Sequence, residues 1–457
     1  MKKAPQTATK NHRNQCCQKA KNNQFSPTHE ETKTHTVEKS RFVLALYTCL
    51  FDKLISLLIP THIKTTPDYF RHVYRDLLNF VSCFQNKFIT PFMYNKLLRV
   101  LLMRSSFFGK IGHNNLILVR NVFFDENKPL NEGDLPTNLR KLTINGSFNH
   151  PLTPGVLPDG LTHLEFESRF DIKFMPPLTQ GSFPESVTHL VFCCEFNHPL
   201  TKSVLPSNLT YLKFDGSYFT YPLNEDVLPS SLRTLIFGCG CTYNHHMKKG
   251  VLPLNLTKLR LGYDFCQIDK DVLPSNLTDL YLGYKFVQIF EKDILPLSLT
   301  QLQFSNMYNG PLIEGSLPSK MTRLSFGCMF NQPITPGILP SSLTHLHFGG
   351  TFNQPFTLGS LPSSLKYLYL GELYTHSFTQ GVLPSNLTHL VLDGHLPWYE
   401  CLSIPGVLPT RITNLELVEL PPNRRLSEKP YELNGTYDEI FSEVCRIYNV
   451  WKEKTRK

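Results

Sequence analysis

The chain lacks any uninterrupted apolar run of bilayer length. Residues 42–59, its most apolar stretch, are split by Asp52 and Lys53 into pieces of ten and six residues. A spanning helix needs about 20 mostly apolar residues, and a charged pair at its centre costs several kcal/mol, so no membrane span is expected. No secretory signal is visible, since that stretch follows some 40 polar residues. Cysteine is present, 12 residues in all, but never as C-x-x-C. It occurs singly or in pairs such as Cys16–Cys17, Cys193–Cys194 and Cys239–Cys241. That scatter matches neither a disulfide framework nor a zinc site and fits free thiols in a reducing compartment, so a cytoplasmic protein is expected. A Gly-rich phosphate loop, an H-E-x-x-H helix and a G-x-S-x-G elbow are all missing. The sequence thus names no catalytic residue, no metal ligand and no cofactor, and the reading is not an enzyme.

Positive charge is missing where a nucleic-acid reader would need it. The formal net charge is +9, yet residues 1–130 hold 20 Lys/Arg against 8 Asp/Glu, leaving 26 and 29 for the rest. A solenoid that binds phosphate backbone needs a basic stripe, so no nucleic acid is expected on the repeats.

What is there is a repeat. Leu-Pro pairs, or Phe-Pro once, begin at Leu135, Leu157, Phe183, Leu205, Leu228, Leu252, Leu273, Leu295, Leu317, Leu339, Leu361, Leu383 and Leu408, at intervals of 22 residues in most cases and 21 to 26 in the others. A fixed period of this length marks a solenoid, in which no unit can bury its apolar face alone. Each unit opens with L-x-x-L-x-F/L, as in Leu343-Thr-His-Leu346-His-Phe348, which has the strand period of two. The preceding Pro belongs on the return path, since it cannot donate to a ladder. The second half, as in Phe352-Asn-Gln-Pro-Phe356-Thr-Leu-Gly359, is turn-rich, with Phe352 and Phe356 as interior wedges. Units at Tyr218–Leu223, Phe265–Asp269, Phe286–Phe290 and Leu396–Cys401 depart from this pattern and are expected to bulge or change curvature. Six N-x-S/T sequons, at Asn145, Asn208, Asn255, Asn276, Asn386 and Asn434, read as turn chemistry, four of them being the repeat word Asn-Leu-Thr.

Phe-Asn-His-Pro at Phe148–Pro151 and Phe196–Pro199, and Phe-Asn-Gln-Pro at Phe330–Pro333 and Phe352–Pro355, make the chain resemble the FNIP repeat family over roughly residues 115 to 417. That family, known mainly from amoebae and large DNA viruses, is similar to leucine-rich repeats. The resemblance implies a mainly β protein with helical caps: a leucine-rich-repeat-like solenoid, right-handed, of about 13 coils with one parallel sheet. It implies no catalytic residues. Some members carry an F-box ahead of the repeats, which tethers them through a Skp1-like adaptor to a cullin-type ubiquitin ligase. Here Leu58-Ile-Pro-Thr-His-Ile63 is loosely similar to that motif's opening.

The expected organisation is a disordered basic tail (1–41), a helical segment that is either a cap or F-box-like (42–112), the solenoid (113–418), and a linker with a capping helix (419–457). Helices are read after Thr66-Pro67 and Thr90-Pro91, the second with Met93, Leu97, Leu98, Leu101 and Leu102 on one face. At the other end, Tyr437–Trp451 reads as an amphipathic helix with Thr436 as N-cap.

In L-x-x-L-x-F the residues flanking the second Leu point away from the interior, so each coil displays two side chains. These vary while the framework repeats: Lys141/Thr143, His163/Glu165, His189/Val191, Tyr211/Lys213, Thr234/Ile236, Lys258/Arg260, Asp279/Tyr281, Gln301/Gln303, Arg323/Ser325, His345/His347, Tyr367/Tyr369, His389/Val391 and Asn414/Glu416. Tyr, His and Arg are the residues that anchor protein interfaces. The expected partner-binding set is therefore His163, His189, Tyr211, Lys258, Arg260, Tyr281, Arg323, His345, His347, Tyr367, Tyr369 and His389. The function expected is a protein–protein interaction scaffold, or, as an alternative, a ligase substrate receptor.

Overall fold

The computed structural model describes residues 102–105, 116–146, 148–167, 178–192, 196–215, 218–238, 240–393, 398–418 and 431–455. The expected basic tail and the F-box-like stretch lie outside the described residues.

Among the described residues a single sheet contains every strand, in sequence order. The strands are β1 (Leu102–Arg104), β2 (Asn121–Phe124), β3 (Lys141–Ile144), β4 (His163–Phe166), β5 (His189–Phe192), β6 (Tyr211–Phe214), β7 (Thr234–Phe237), β8 (Lys258–Arg260), β9 (Asp279–Tyr281), β10 (Gln301–Gln303), β11 (Arg323–Ser325), β12 (His345–His347), β13 (Tyr367–Leu370), β14 (His389–Asp393), β15 (Asn414–Val418) and β16 (Tyr431–Asn434). Pairing is parallel from β1 through β15 and antiparallel between β15 and β16. The thirteen repeats supply β3 to β15, one strand per coil, so equivalent residues of neighbouring coils face each other: Leu324, Leu346 and Leu368 are direct partners.

The return path is built by the Leu-Pro word. The Pro carbonyl accepts the amide of the apolar residue three positions on, at 2.9 Å for Leu161 to Pro158 and 3.1 Å for Leu343 to Pro340. The turn takes its donor from that residue, so the amide Pro lacks is not missed. Just before the pair, one residue is left-handed in every coil. It is Gly in most, as at Gly359 (φ 82°), but Ser203, Asp226, Asp271 and Asp293 take the same conformation at φ 63° to 67°.

The asparagine of each Asn-Leu-Thr word is a stitch between coils. Its side-chain amide donates to a carbonyl of the preceding coil: Asn208 to Glu185, Asn255 to Ser230, Asn276 to Leu254 and Asn386 to Ser363. The Leu beside it is fully buried, and the Thr hydroxyl reaches back in the same way, as Thr210 to Thr188. Asparagine of the Phe-Asn word, or Tyr-Asn at Tyr308-Asn309, points the other way along the array. Asn309 Oδ1 accepts the Asn331 amide, Asn331 Oδ1 the Asn353 amide and Asn353 Oδ1 the Thr375 amide, at 2.8 to 2.9 Å.

The core is one column of leucine and aromatic rings. Phe304, Phe326 and Phe348 stack at 5.1 and 5.2 Å between centroids, and Tyr308, Phe330, Phe352 and Tyr374 at 6.0 to 6.1 Å. The departing units hold the same column. Phe219, Phe265 and Phe286 fill the wedge position, and β6 to β10 keep unbroken register, so the expected bulges at Tyr218–Leu223, Phe265–Asp269 and Phe286–Phe290 leave the sheet intact. In the fourth departing unit the chain forms a short helix, α1 (Trp398–Leu402), which places Cys401 and Leu402 inside.

The ends differ from expectation in two places. Leu102, read as part of a helix face, lies in β1, which pairs with β2; three residues are too few for helical and strand spacing to be told apart. Beyond the last coil, β16 adds an antiparallel strand that covers the β15 edge, a common protection for an open sheet. The helix α2 (Tyr437–Thr455) follows. Its start is a capping box: Glu439 accepts the Thr436 amide at 2.7 Å, and Thr436 Oγ1 accepts the Glu439 amide at 3.4 Å. It buries Ile440 and Val444 in the core and packs against α1 and β16.

Candidate functional site

Alternation along each strand separates framework from display. In β12 the inward Leu346 is fully buried while His345 and His347 are half-buried, and the same holds for Tyr367 and Tyr369 around Leu368. All twelve expected site residues lie on this solvent face and none is buried in the core. Two other displayed positions are covered. Thr143 and Val391 are 9% and 4% exposed, because each is a small side chain in register between larger ones: Phe123 and Glu165 in the first case, Tyr369 and Glu416 in the second.

Parallel register gathers the twelve into three clusters. In the first, His163 stacks on His189 at 4.2 Å with planes 13° apart, and His189 on Tyr211 at 5.5 Å. In the second, the Lys258 ammonium sits 5.2 Å from the Tyr281 ring centroid, and Arg260 is the register partner of Tyr281. In the third, His345 stacks on Tyr367 at 5.8 Å, His389 lies tilted against Tyr367 at 6.2 Å, His347 stacks on Tyr369 at 4.1 Å, and Arg323 is in register with His345.

The tautomer of four of these histidines follows from their neighbours. In Thr162-His163, Thr188-His189, Thr344-His345 and Thr388-His389, the Thr hydroxyl donates to a carbonyl of the preceding coil and lies 2.8 to 2.9 Å from the imidazole Nδ1. A hydroxyl has one proton, so Nδ1 is the donor in that contact and the outward Nε2 is left as an acceptor. Burial lowers the pKa of His163, His189, His345 and His347; for His345 the charges of Arg323, His389 and Lys366 push the same way. His163, His189, His345 and His347 are therefore neutral imidazoles at neutral pH. Burial raises the phenol pKa of Tyr211, Tyr281, Tyr367 and Tyr369; Tyr369 is pushed further by Asp393, whose carboxylate accepts its hydroxyl at 2.8 Å.

Several contributors were not in the expected set. Gln301 donates to the Tyr281 hydroxyl at 2.8 Å, and Gln301, Gln303 and Ser325 line a cleft of about 510 Å³ together with Arg323, His345, His347 and Tyr367. The threonines that fix the imidazoles had a signal in the sequence, the word Thr-His-Leu recurring four times. Among the described residues, no group of three His, Cys, Asp or Glu side chains is placed to hold a metal ion, and no helix is long and apolar enough to cross a membrane.

The model of the FNIP Repeat family matches residues 127–168, 196–240, 243–285, 286–329 and 330–373. No curated protein matches the chain. Among solved structures, CroV588, a circular LRR protein, is 35% identical with a TM-score of 0.56; the match covers 65% of this chain and 50% of that one, so the chain spans half the length of that relative. The functional domain of InlJ from Listeria monocytogenes is 15% identical, with a TM-score of 0.41 over 63% of this chain and 62% of that one.

Proposed function

Because the chain is an FNIP repeat protein, we propose that it is a non-catalytic interaction scaffold that grips another protein on the solvent face of its sheet. The observation that carries this reading is the contrast within single strands. Leu324, Leu346 and Leu368 barely change from coil to coil and are at most 2% exposed, while the residues flanking them change with every coil. Packing dictates the first set; nothing in the fold dictates the second. The displayed set is rich in ring side chains that bury much area at little entropic cost, the usual composition of interface anchors. Their mutual stacking holds them in place before any partner arrives, which lowers the ordering cost of binding.

Cys266, Cys328 and Cys445 are free thiols, which fits a reducing compartment such as the cytoplasm. The test is affinity purification of the full chain with mass spectrometry, alongside a variant with His345, His347, Tyr367 and Tyr369 all changed to Ala. The variant is expected to melt close to the native temperature and to lose the partner. Retention of the same partner at the same yield would contradict the reading.

A further inference from the structure

Deepening the reading that the sheet face binds a partner, we infer that the cleft over β10 to β12 is a carboxylate pocket, in which Arg323 pairs with an Asp or Glu side chain of the partner protein.

Three observations carry this. The Arg323 side chain is exposed, and its guanidinium makes no hydrogen bond or ion pair among the described residues. Other cations of the same face are engaged: Lys141 with Glu165 at 3.5 Å, Lys213 with Asp215 at 2.9 Å, and Lys258 over the Tyr281 ring. Second, Arg323 opens onto a concavity of about 510 Å³, large enough for a side chain and its flanking backbone, and none of the lining residues is a carboxylate. Third, the charges acting on His345 are positive. His345, in register with Arg323, is held neutral by burial and then by the charges of Arg323, His389 and Lys366. Gln303, Ser325 and Tyr367 supply neutral polar groups around the guanidinium.

A guanidinium offers a planar fork of donors that matches a carboxylate with two parallel hydrogen bonds, and it is the favoured cation at partly desolvated interfaces. A nucleic-acid phosphate track is the weaker occupant. Backbone binding takes several cations in a row, whereas the face beside Arg323 also carries Asp279, Asp393 and Glu416. An isolated arginine in a neutral polar cleft selects one acidic side chain.

The experiment is fluorescence anisotropy of the full-length protein with a fluorescein-labelled, C-terminally amidated hexaglutamate peptide at low salt. It is run on the native chain, R323E and the charge-matched control K320E, Lys320 being exposed in the same repeat but off the strand. Melting curves check that all three fold. The control matters because the basic N-terminal region attracts the probe whatever Arg323 does. R323E is expected to weaken binding by about tenfold or more, the scale of losing a charge pair at an interface, while K320E stays within about threefold. Equal loss in both variants, or no binding of the probe to the native chain, would overturn the inference. So would an Arg323-dependent preference for an oligodeoxythymidylate of the same length, which would make the cleft a phosphate site. Failure here, with partner capture still lost in the His345, His347, Tyr367 and Tyr369 variant, would sink the carboxylate pocket and leave the scaffold reading standing.

Discussion

Phe330 is the position where stacking of the coils can be measured. Its ring is fully buried and lies 3.9 Å from Phe326, 6.1 Å from Tyr308 and from Phe352, and 6.2 Å from Phe348, so it touches its own coil and both neighbours. Truncation to Ala removes a buried aromatic, at about 3 to 5 kcal/mol, and each lost ring pair adds about 0.5 to 1.5 kcal/mol beyond area burial. The neighbours cannot collapse into the void, because each is fixed by the strand and turn bonds of its own coil. Phe330→Ala is therefore expected near the top of that range. Phe330→Tyr is the control. The equivalent site one coil earlier holds Tyr308, whose hydroxyl donates to the Pro311 carbonyl at 3.2 Å, and Pro333 stands three residues after Phe330 just as Pro311 stands after Tyr308. The added hydroxyl thus has an acceptor, and the swap should cost under about 1.5 kcal/mol. In a solenoid stability is close to a sum over repeats and their interfaces, so the loss is local. Hydrogen exchange read by mass spectrometry should show peptides from residues 321–356 losing protection in Phe330→Ala while peptides from 205–237 keep theirs. An Ala variant within about 1 kcal/mol of native protection, or a Tyr variant as damaged as Ala, would refute the stacked-column account.

Three smaller tests address the stitches, the turns and the imidazoles. Asn331→Ala strips the acceptor from the Asn353 amide and the Gln354 side chain, and should lower the urea midpoint by the equivalent of about 1 kcal/mol; no change would make the asparagine ladder decorative. Ser203→Gly relieves a left-handed residue at φ 67°; that conformation costs an L-residue about 1 to 2 kcal/mol while Gly loses about 0.5 to 1 kcal/mol of chain entropy, so a net gain of up to about 1.5 kcal/mol is expected in thermal unfolding, and a loss would contradict it. Burial depresses the pKa values of His163, His189, His345 and His347 below the ordinary histidine value of about 6.5. The unfolded chain then takes up protons first as pH falls. Stability is complete above about 6.5 and declines below it, so the melting temperature should drop between pH 7.5 and 5.5, and less so in a His163→Gln, His189→Gln double variant. A flat or rising profile would show that these imidazoles are not desolvated.

Much of this fold could be read from residue order alone, because a repeated word states the same packing instruction thirteen times. Leu-Pro marked each turn, L-x-x-L-x-F each strand, and the alternation told inside from outside correctly for the twelve residues singled out. Tyr437–Trp451 was legible as a helix because its N-cap Thr436 and apolar spacing are local signals. What escaped had no such redundancy. β1 is three residues long, and β16 is a strand only because β15 offers it an edge; neither carries a pattern of its own. Helix α1 replaces a turn in a single coil, so no neighbour announces it. The cleft around Arg323 depends on which side chains three successive coils happen to bring together, and period analysis sees each coil separately. Stacking of His163 on His189 followed from parallel register once that register was known, and the proton position on each ring from the Thr next to it.

The central claim, that the strand face and not the return path meets the partner, can be tested most directly by site-specific photocrosslinking. Benzoylphenylalanine is placed at Tyr367 in one protein and, in another, at Leu358, which is 73% exposed and lies between strands. Irradiation of both in cells of the native host should give a discrete adduct with one protein from position 367 and none from position 358. An adduct of equal yield from both, or from Leu358 alone, would contradict the account.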